Sequence, residues 1–555
     1  MEQKQIDKFI KRLSDLKAER TNWNNSWQIV SMYVDTKKAD FTSTQTEGTF
    51  LNTKLFDNTA SQYAKSRAST LKSMVFGNYD FKFTPSYRYK DNGTLIKFFE
   101  EATNILKNEM KNPLANFNKT IEEAEDFDSL FGTSVVYCEF IKDIIQVSAG
   151  NIAEGTPAEV IDNSHLVYKT LNLKECYLDE NFSGQVDQLY REFTLTIKQT
   201  AEQFGFENLS VKAQKNFETK STDKLTILNA IIPIDSYENL FAIKNEYKYI
   251  SVFIDITNKH LLELKGYNDK PFFVHRENKK VGEKYGRSVS MDAISVITLL
   301  NKIQQDTITI ANRQAEPPLG ITDDKAIIDT SAGSISVFSP TNNNPVFNLI
   351  NEYGNVANLI QYRETIKEEL AKFYGIDKLL DFNNNVQMTA TEVEQRAMIR
   401  NQTMSFLFEA KTNERYSPLL ERTFNLLLTK GYFDELIEDN EELINLFNTG
   451  DDLYSIEYYN QVEREKNAQN NLLIMNIWNT TAQIAQMTQD LTVFDNLNAD
   501  TTISLLKSVS FTNTIFRGEE EVQKIRENRQ QQQQELIQAQ QQQQMAQQQV
   551  GGQIG

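Results

Sequence analysis

Residues 289–318 read VSMDAISVITLLNKIQQDTITIANRQAEPP, and this stretch decides the architecture. Ala293, Val296, Ile297, Leu300, Ile303, Ile310 and Ala311 follow a helical period, so Val289 to Ala315 is expected as one long helix. Its apolar stripe would be about 40 Å long at roughly 1.5 Å per residue. Pro317 and Pro318 stop it, because proline has no N–H to donate and disfavours helix in the residue before it. Leu319 to Ile350 then mixes Gly, Asp, Ser and Asn with β-type runs such as Ser334 to Phe338, which predicts a small strand-bearing insertion. A second helix is expected from about Asn355 to Tyr374, carried by Val356, Leu359, Ile360, Ile366, Leu370 and Phe373, with Gly375 placed to end it.

Upstream, Ile6, Phe9, Ile10, Leu13, Leu16, Trp23, Trp27 and Val30 recur at helical spacing, with one gap at Arg20. A polar stretch from Thr42 to Gly48 precedes a second amphipathic helix on Phe56, Ala60, Tyr63, Ala64, Ala68, Leu71 and Val75, ended by Gly77. Between Phe81 and Leu264 the texture turns β-rich, as in Ser134 to Phe140 and Tyr249 to Asp255, with helix near Leu95 to Met110. Downstream, Asp381 to Asn385 can turn sharply, and Thr389-Ala-Thr-Glu392 has capping-box spacing. The helix it starts is expected to run through Arg396, Phe406 and Tyr416 toward Gly431, kinked or divided at Pro418. From Glu519 to Gln549 glutamine dominates, with sparse Leu536, Ile537 and Met545, so this tail is either disordered or a helix stable only beside its own copies. The sum is a helix-rich α+β protein of several packed regions, without the repeat period of a solenoid.

Composition limits what such a protein does. Lys plus Arg number 58 against 76 Asp plus Glu, a net charge of -18, which argues against a protein that grips duplex DNA by neutralising phosphates. Two cysteines, Cys138 and Cys176, are too few for a disulfide framework; they read as half-buried thiols of a reducing compartment. No run approaches the roughly 18 apolar residues of a membrane span, and the start, Met1 to Gln5, is charged and carries no evident address, so a soluble protein is expected. Phosphate-loop, zincin, C-x-x-C and nucleophile-elbow motifs are missing from the sequence. His165, His260 and His275 are far apart and read as surface or structural histidines, and Asp323-Asp324 and Asp451-Asp452 read as solvated doublets. The Gly282 to Arg287 segment reads as a tight turn before a helix start, with a phosphate-contacting turn as the competing reading.

The order of segments resembles the head-to-tail connecting portal family of podovirus-type phages. The resemblance rests on Arg20, Trp23, Trp27 and Tyr33; on Leu55 to Ala60; and on Val186 to Thr196 with Gln199 and Phe204-Gly205. It continues through Gly282 to Ser288, Glu316 to Pro318, Met388 to Val393, and Pro418 to Arg422. It implies the portal fold: a dodecameric ring with wing, stem, clip and crown or barrel regions. Residues 1–288 would then be wing, 289–315 the first stem helix, 316–350 the clip, 351–375 the second stem helix and 376–388 the tunnel loop. Residues 389–518 would continue the wing into the crown base, and 519–555 would be a Gln-rich crown, barrel or disordered tail.

The same resemblance implies a DNA-facing set of Asp381, Phe382, Asn383, Asn384, Asn385 and Gln387, and a motor-docking or adaptor-docking set of Leu319, Thr322, Asp323, Asp324, Lys325, Asn342 and Asn343. The implied partners are further copies of the chain, double-stranded DNA passing through the ring, the terminase large subunit, major capsid and scaffold proteins, and head-tail adaptor and tail proteins. No membrane, cofactor, metal or catalytic residue is implied. The expected place is the head-tail junction of the virion, after synthesis in the host cytoplasm. Two other classes stay open on the residues alone: an internal virion scaffold, and a metal-dependent virion nuclease built on acidic clusters.

Overall fold

The computed structural model describes residues 3–35, 55–76, 81–90, 92–142, 144–146, 160–237, 247–315, 319–321, 346–348, 355–376, 408–438, 440–449, 452–458 and 461–489, with short pieces between 494 and 529. The chain divides into two compact units, 1–460 and 461–555.

The first unit opens on α1 (Gln3–Glu19) and α2 (Thr21–Tyr33), so the expected helical stretch is two helices that meet at Arg20. Arg20 is buried, donates to the carbonyls of Leu173, Lys174 and Cys176, and lies 3.9 Å over the Tyr177 ring. The apparent gap in the apolar stripe is therefore a buried cation whose two terminal nitrogens donate to backbone oxygens and whose plane lies over an aromatic face. After α3 (Thr59–Phe76) come β1 (Phe81–Pro85), α4 (Gly93–Lys111), α5 (Phe117–Phe131), β2 (Thr133–Ile141), β3 (Ile144–Gln146), β4 (Val160–Asp162) and β5 (His165–Leu171). Phe56, expected on α3, precedes it and is exposed.

A five-stranded antiparallel meander follows: β6 (Cys176–Glu180), β7 (Val186–Thr196), β8 (Lys224–Pro233), β9 (Tyr249–Asp255) and β10 (His260–Tyr267). Ile6, Phe9, Leu13 and Leu16 of α1 join Tyr190, Leu228, Val252 and Ile254 in one core. Between β7 and β8 lie α6 (Ile197–Phe204) and α7 (Val211–Asn216); Ile197, Phe204 and Ala213 share a second core with Ile227 and Phe253. Thr196 and Gln199 close a capping box at the start of α6, satisfying amides the first helical turn leaves open.

The next strand, β11 (Phe272–Arg276), pairs antiparallel with β2, which pairs in turn with β5. Then come α8 (Val289–Asp292) and α9 (Ile294–Ala315), so the single helix expected from Val289 is interrupted at Ala293 (φ -87°, ψ 4°). Strands β12 (Leu319–Ile321) and β13 (Val346–Asn348) pair antiparallel, as the strand-bearing insertion predicts. The return helix α10 (Val356–Tyr374) has Asn355 as its N-cap and Gly375 at φ +67° as its C-cap, where a left-handed residue closes the last turn.

From Phe408 the chain is helical again, and its one expected helix toward Gly431 is divided. A π-helical turn, Thr412–Tyr416, leads into α11 (Ser417–Thr429) with Pro418 in its first turn. The wider turn takes up the ring that would clash in a continuous α-helix, where proline also donates no hydrogen bond. After α12 (Asp434–Ile437) and α13 (Glu441–Asn448), β14 (Tyr454–Tyr458) pairs antiparallel with β1. Phe424 stacks between Phe83 and Phe433 at centroid distances of 5.1 and 5.2 Å, within the largest core. The second unit contains α14 (Gln461–Thr488).

Candidate functional site

The chain runs out along α9, through β12 and β13, and back along α10. The two helices pack together, and Arg363 Nη1 donates to Gln304 Oε1 at 2.6 Å across them. Near the start of α9, Asn301 Oδ1 accepts from the backbone N–H of Phe56 at 2.7 Å and of Asp57 at 3.2 Å, tying the helix to the segment before α3. At the end of α10, Tyr374 Oη and Ser290 Oγ share a hydrogen bond of 2.8 Å, and Arg67 reaches the Tyr374 carbonyl while pairing with Glu277.

Beside this base lies a buried charge cluster. Glu125 and Asp128 project from α5; Lys411 and Arg415 come from the helix that resumes at Phe408. Lys411 Nζ donates to Glu125 Oε2 at 2.6 Å and Asp128 Oδ2 at 2.9 Å. Arg415 Nη1 donates to Asp128 Oδ2 and to Ser134 Oγ, both at 2.7 Å. Arg415 Nη2 and Tyr416 Oη both donate to Glu125 Oε1. Burial pushes the two carboxyls up, but Lys411 and Arg415 outweigh it and hold both below the ordinary carboxylate range. Burial likewise lowers Lys411, and the two carboxylates more than restore it, so the pairs stay ionised. Two anions facing two cations meet the condition under which buried charge is tolerated.

β11 links this cluster to the base of α10. Glu414 accepts from the Arg276 backbone N–H at 2.8 Å and from its guanidinium at 3.1 Å, and lies 3.3 Å from His275 Nδ1. Glu277, next in sequence, holds Arg67. Residues 275–277 thus bind the end of α10 on one side and the helix at 408–416 on the other. Such paired, buried charges fix the position of the elements that carry them.

Of the sequence-predicted site residues, only Leu319 lies among the described residues, on β12 opposite Asn348. Asp381, Phe382, Asn383, Asn384, Asn385, Gln387, Thr322, Asp323, Asp324, Lys325, Asn342 and Asn343 lie outside them. The three histidines sit on three different strands: His165 begins β5, His260 begins β10 and His275 is buried in β11. Among the described residues no cluster of His, Cys, Asp and Glu is placed to hold a metal ion. Gly282 to Arg287 is the tight turn expected: Gly282 has φ +84°, and Ser288 caps α8 by accepting from Met291 N–H at 2.9 Å. A Cβ on Gly286 would overlap the Gly132 carbonyl and the Glu277 backbone, so glycine is there for close backbone approach. The cysteines are not half-buried. Both are fully enclosed, and burial pushes Cys138 up to about 11 and Cys176 up to about 12.

Sequence reasoning missed Glu125, Asp128, Lys411 and Arg415. The signal was present: Glu125 and Asp128 lie three apart among Ile121, Ala124 and Phe131 of α5, on its buried side, and Lys411 and Arg415 lie four apart.

The family model described as bacteriophage head to tail connecting protein matches residues 6–505. The portal protein of Salmonella phage epsilon15 is 22% identical over 549 residues, covering 95% of this chain and 92% of the relative. A probable portal protein of Bordetella phage BPP-1 is 23% identical over 442 residues, covering 77% of this chain and 75% of the relative. With the family matched from the first residues of α1 to beyond α14, this chain belongs to the bacteriophage head to tail connecting proteins.

Proposed function

We propose that this chain is one subunit of a portal ring at a single capsid vertex, through which genomic DNA is packaged and later ejected. The observation that carries the reading is the out-and-back pair α9 and α10, joined through the antiparallel β12 and β13, inside a chain that the connector family matches almost throughout. On this reading α9 and α10 are the stem, residues 316–350 the clip, and 376–388 a tunnel loop that leaves from the end of α10, where Arg67 ties the Tyr374 carbonyl to Glu277. The remainder forms wing and crown base, with 519–555 at the crown.

The physics of the channel follows from symmetry and charge. A heterologous contact that closes makes a ring, and repeating a subunit of net charge -18 around an axis gives a collectively negative passage. Phosphates are repelled from its wall, so DNA slides. Asn383, Asn384, Asn385 and Gln387 can exchange hydrogen bonds with phosphate oxygens without the counterion release that Lys or Arg would add. The clip residues Leu319, Thr322, Asp323, Asp324, Lys325, Asn342 and Asn343 receive the packaging ATPase, the terminase large subunit, and then the tail adaptors; capsid and scaffold proteins meet the wing.

Negative-stain electron microscopy with mass photometry on one purified sample tests the reading. Rings of about a dozen subunits with an axial hole support it. A monomer that persists across salt and concentration overturns it.

A further inference from the structure

Residues 467–489 contain no charged side chain, in a chain that is 24% charged. All but Gln489 lie in α14, a helix of 28 residues. Its described side chains form two stripes. Ile474, Trp478, Thr481 and Ala485, spaced four, three and four, are the covered side: Ala485 is buried, and Trp478 stacks on Phe494 at 6.1 Å and donates from Nε1 to Thr502 Oγ1 at 3.4 Å. Roughly a quarter turn away at 3.6 residues per turn, Leu473, Ile477, Thr480, Ile484 and Met487 follow at four, three, four and three. This stripe is open: Leu473 is 61% exposed, Ile477 53%, Ile484 44% and Met487 85%.

Alternating spacings of four and three average about 3.5 residues, the period at which one helix seams against another. Of the five large apolar side chains that α14 exposes among the described residues, four lie in this stripe and Met475 stands opposite, and such a gathering marks a contact rather than ordinary surface. The flanks identify the occupant. A partner selected by charge would be met by Lys, Arg, Asp or Glu beside the seam, where heterotypic helix pairs set their choice of partner. Here the open border of the stripe carries Asn476 and Gln483, amides that both donate and accept and so complement themselves. Copies that each carry -18 repel one another, and an uncharged helix is a surface at which they can still approach.

We infer that α14 is a contact between copies of this chain, in which the Leu473 to Met487 stripe of one copy packs against α14 of a second. The inference rests on the proposed ring and names one place where its subunits touch.

Full-length chain carries the test, and the enclosed Cys138 and Cys176 stay silent toward maleimides. Met487→Cys puts a thiol on the open stripe, and Gln486→Cys puts one on the far side of the helix. After treatment with a short bismaleimide, Met487→Cys should yield covalent dimers several-fold more than Gln486→Cys, and adding Ile477→Glu with Ile484→Glu should remove that excess. Mass photometry of the untreated samples separates the two readings. Assembled particles in which Met487→Cys crosslinks no better than Gln486→Cys overturn this inference and leave the ring standing. A stripe thiol that resists even a small monomaleimide in dilute, dissociated chain is covered by its own chain, which also overturns it. Wild-type chain that stays monomeric overturns both.

Discussion

Lys411 Nζ lies 2.6 Å from Glu125 Oε2, and 286 positions of sequence separate these two fully buried side chains. The pair joins α5, laid down early in the chain, to the helix that resumes at Phe408. Because Arg415 and Asp128 complete the square, neither helix can shift without stranding a charge in the core. Rigidity at this point has a use in a portal: whatever the 377–407 segment touches, its ends start from a fixed frame.

Lys411→Met should therefore cost about 3–5 kcal/mol, because it leaves two buried carboxylates facing one cation. The lowered midpoint of denaturant unfolding reads the loss. Adding Glu125→Gln to Lys411→Met should recover part of it, and the shortfall from additivity in that double-mutant cycle measures the coupling. Additive losses would mean that the pair is not coupled.

Acid should act through the same residues. Glu125 and Asp128 are held below their ordinary values by Lys411 and Arg415 against the effect of burial, and Glu414 is held down by His275 and Arg276 against the same effect. A carboxyl whose folded value is depressed adds stability that is fully present above its unfolded value, about 4, and is lost as pH falls through the folded value. Thermal unfolding followed downward from pH 7 should show a plateau and then a decline below about pH 4. Asp128→Asn should lower the plateau and make the decline shallower.

The helical pair was legible in the sequence because much of it obeys one period: Ile297, Leu300, Ile303, Ile366 and Leu370 are buried as the stripe requires, whereas Ala311, Ile360 and Phe373, counted on the same stripes, are exposed. What periodicity conceals is charge turned inward. Arg20 looked like a gap in a stripe, and Lys411 and Arg415 had the form of ordinary solvent-facing residues, because whether a buried charge is satisfied depends on partners far away in sequence. The break at Ala293 was equally hidden. Alanine is a strong helix former, so tertiary packing and not propensity separates α8 from α9.

The thiols offer a direct check on the core. With Cys138 raised to about 11 and Cys176 to about 12 by burial, folded chain should give no reaction with a chromogenic disulfide at pH 8, and denatured chain should release two equivalents. Reaction of one thiol before unfolding would place that cysteine outside the core.

Two glycines that share a left-handed backbone should respond differently to alanine. At Gly375 (φ +67°) nothing among the described residues lies within 4 Å of an added Cβ, so Gly375→Ala should cost only about 1–2 kcal/mol for the conformation. At Gly132 (φ +73°) the Cβ would strike the backbone of Gly286, Arg287 and Ser288, where strand, turn and helix start meet. Gly132→Ala should be the far more destabilising change by thermal unfolding. Equal losses would mean that the turn yields freely.

The proposed channel makes its sharpest demand on DNA binding. A negative passage lined at its narrowest by Asn383, Asn384 and Asn385 predicts that assembled rings hold duplex weakly, with little dependence on salt. Replacing Asn384 by Lys in every subunit should reverse this, since each phosphate newly neutralised adds about 0.9 to the slope of log affinity against log salt. Affinity measured by fluorescence anisotropy over a salt series reads both effects, and genome packaging by particles carrying Asn384→Lys should slow as DNA is gripped. Tight, steeply salt-dependent binding by the wild-type ring would instead mean that the passage holds its DNA through cations, and the sliding mechanism would fall.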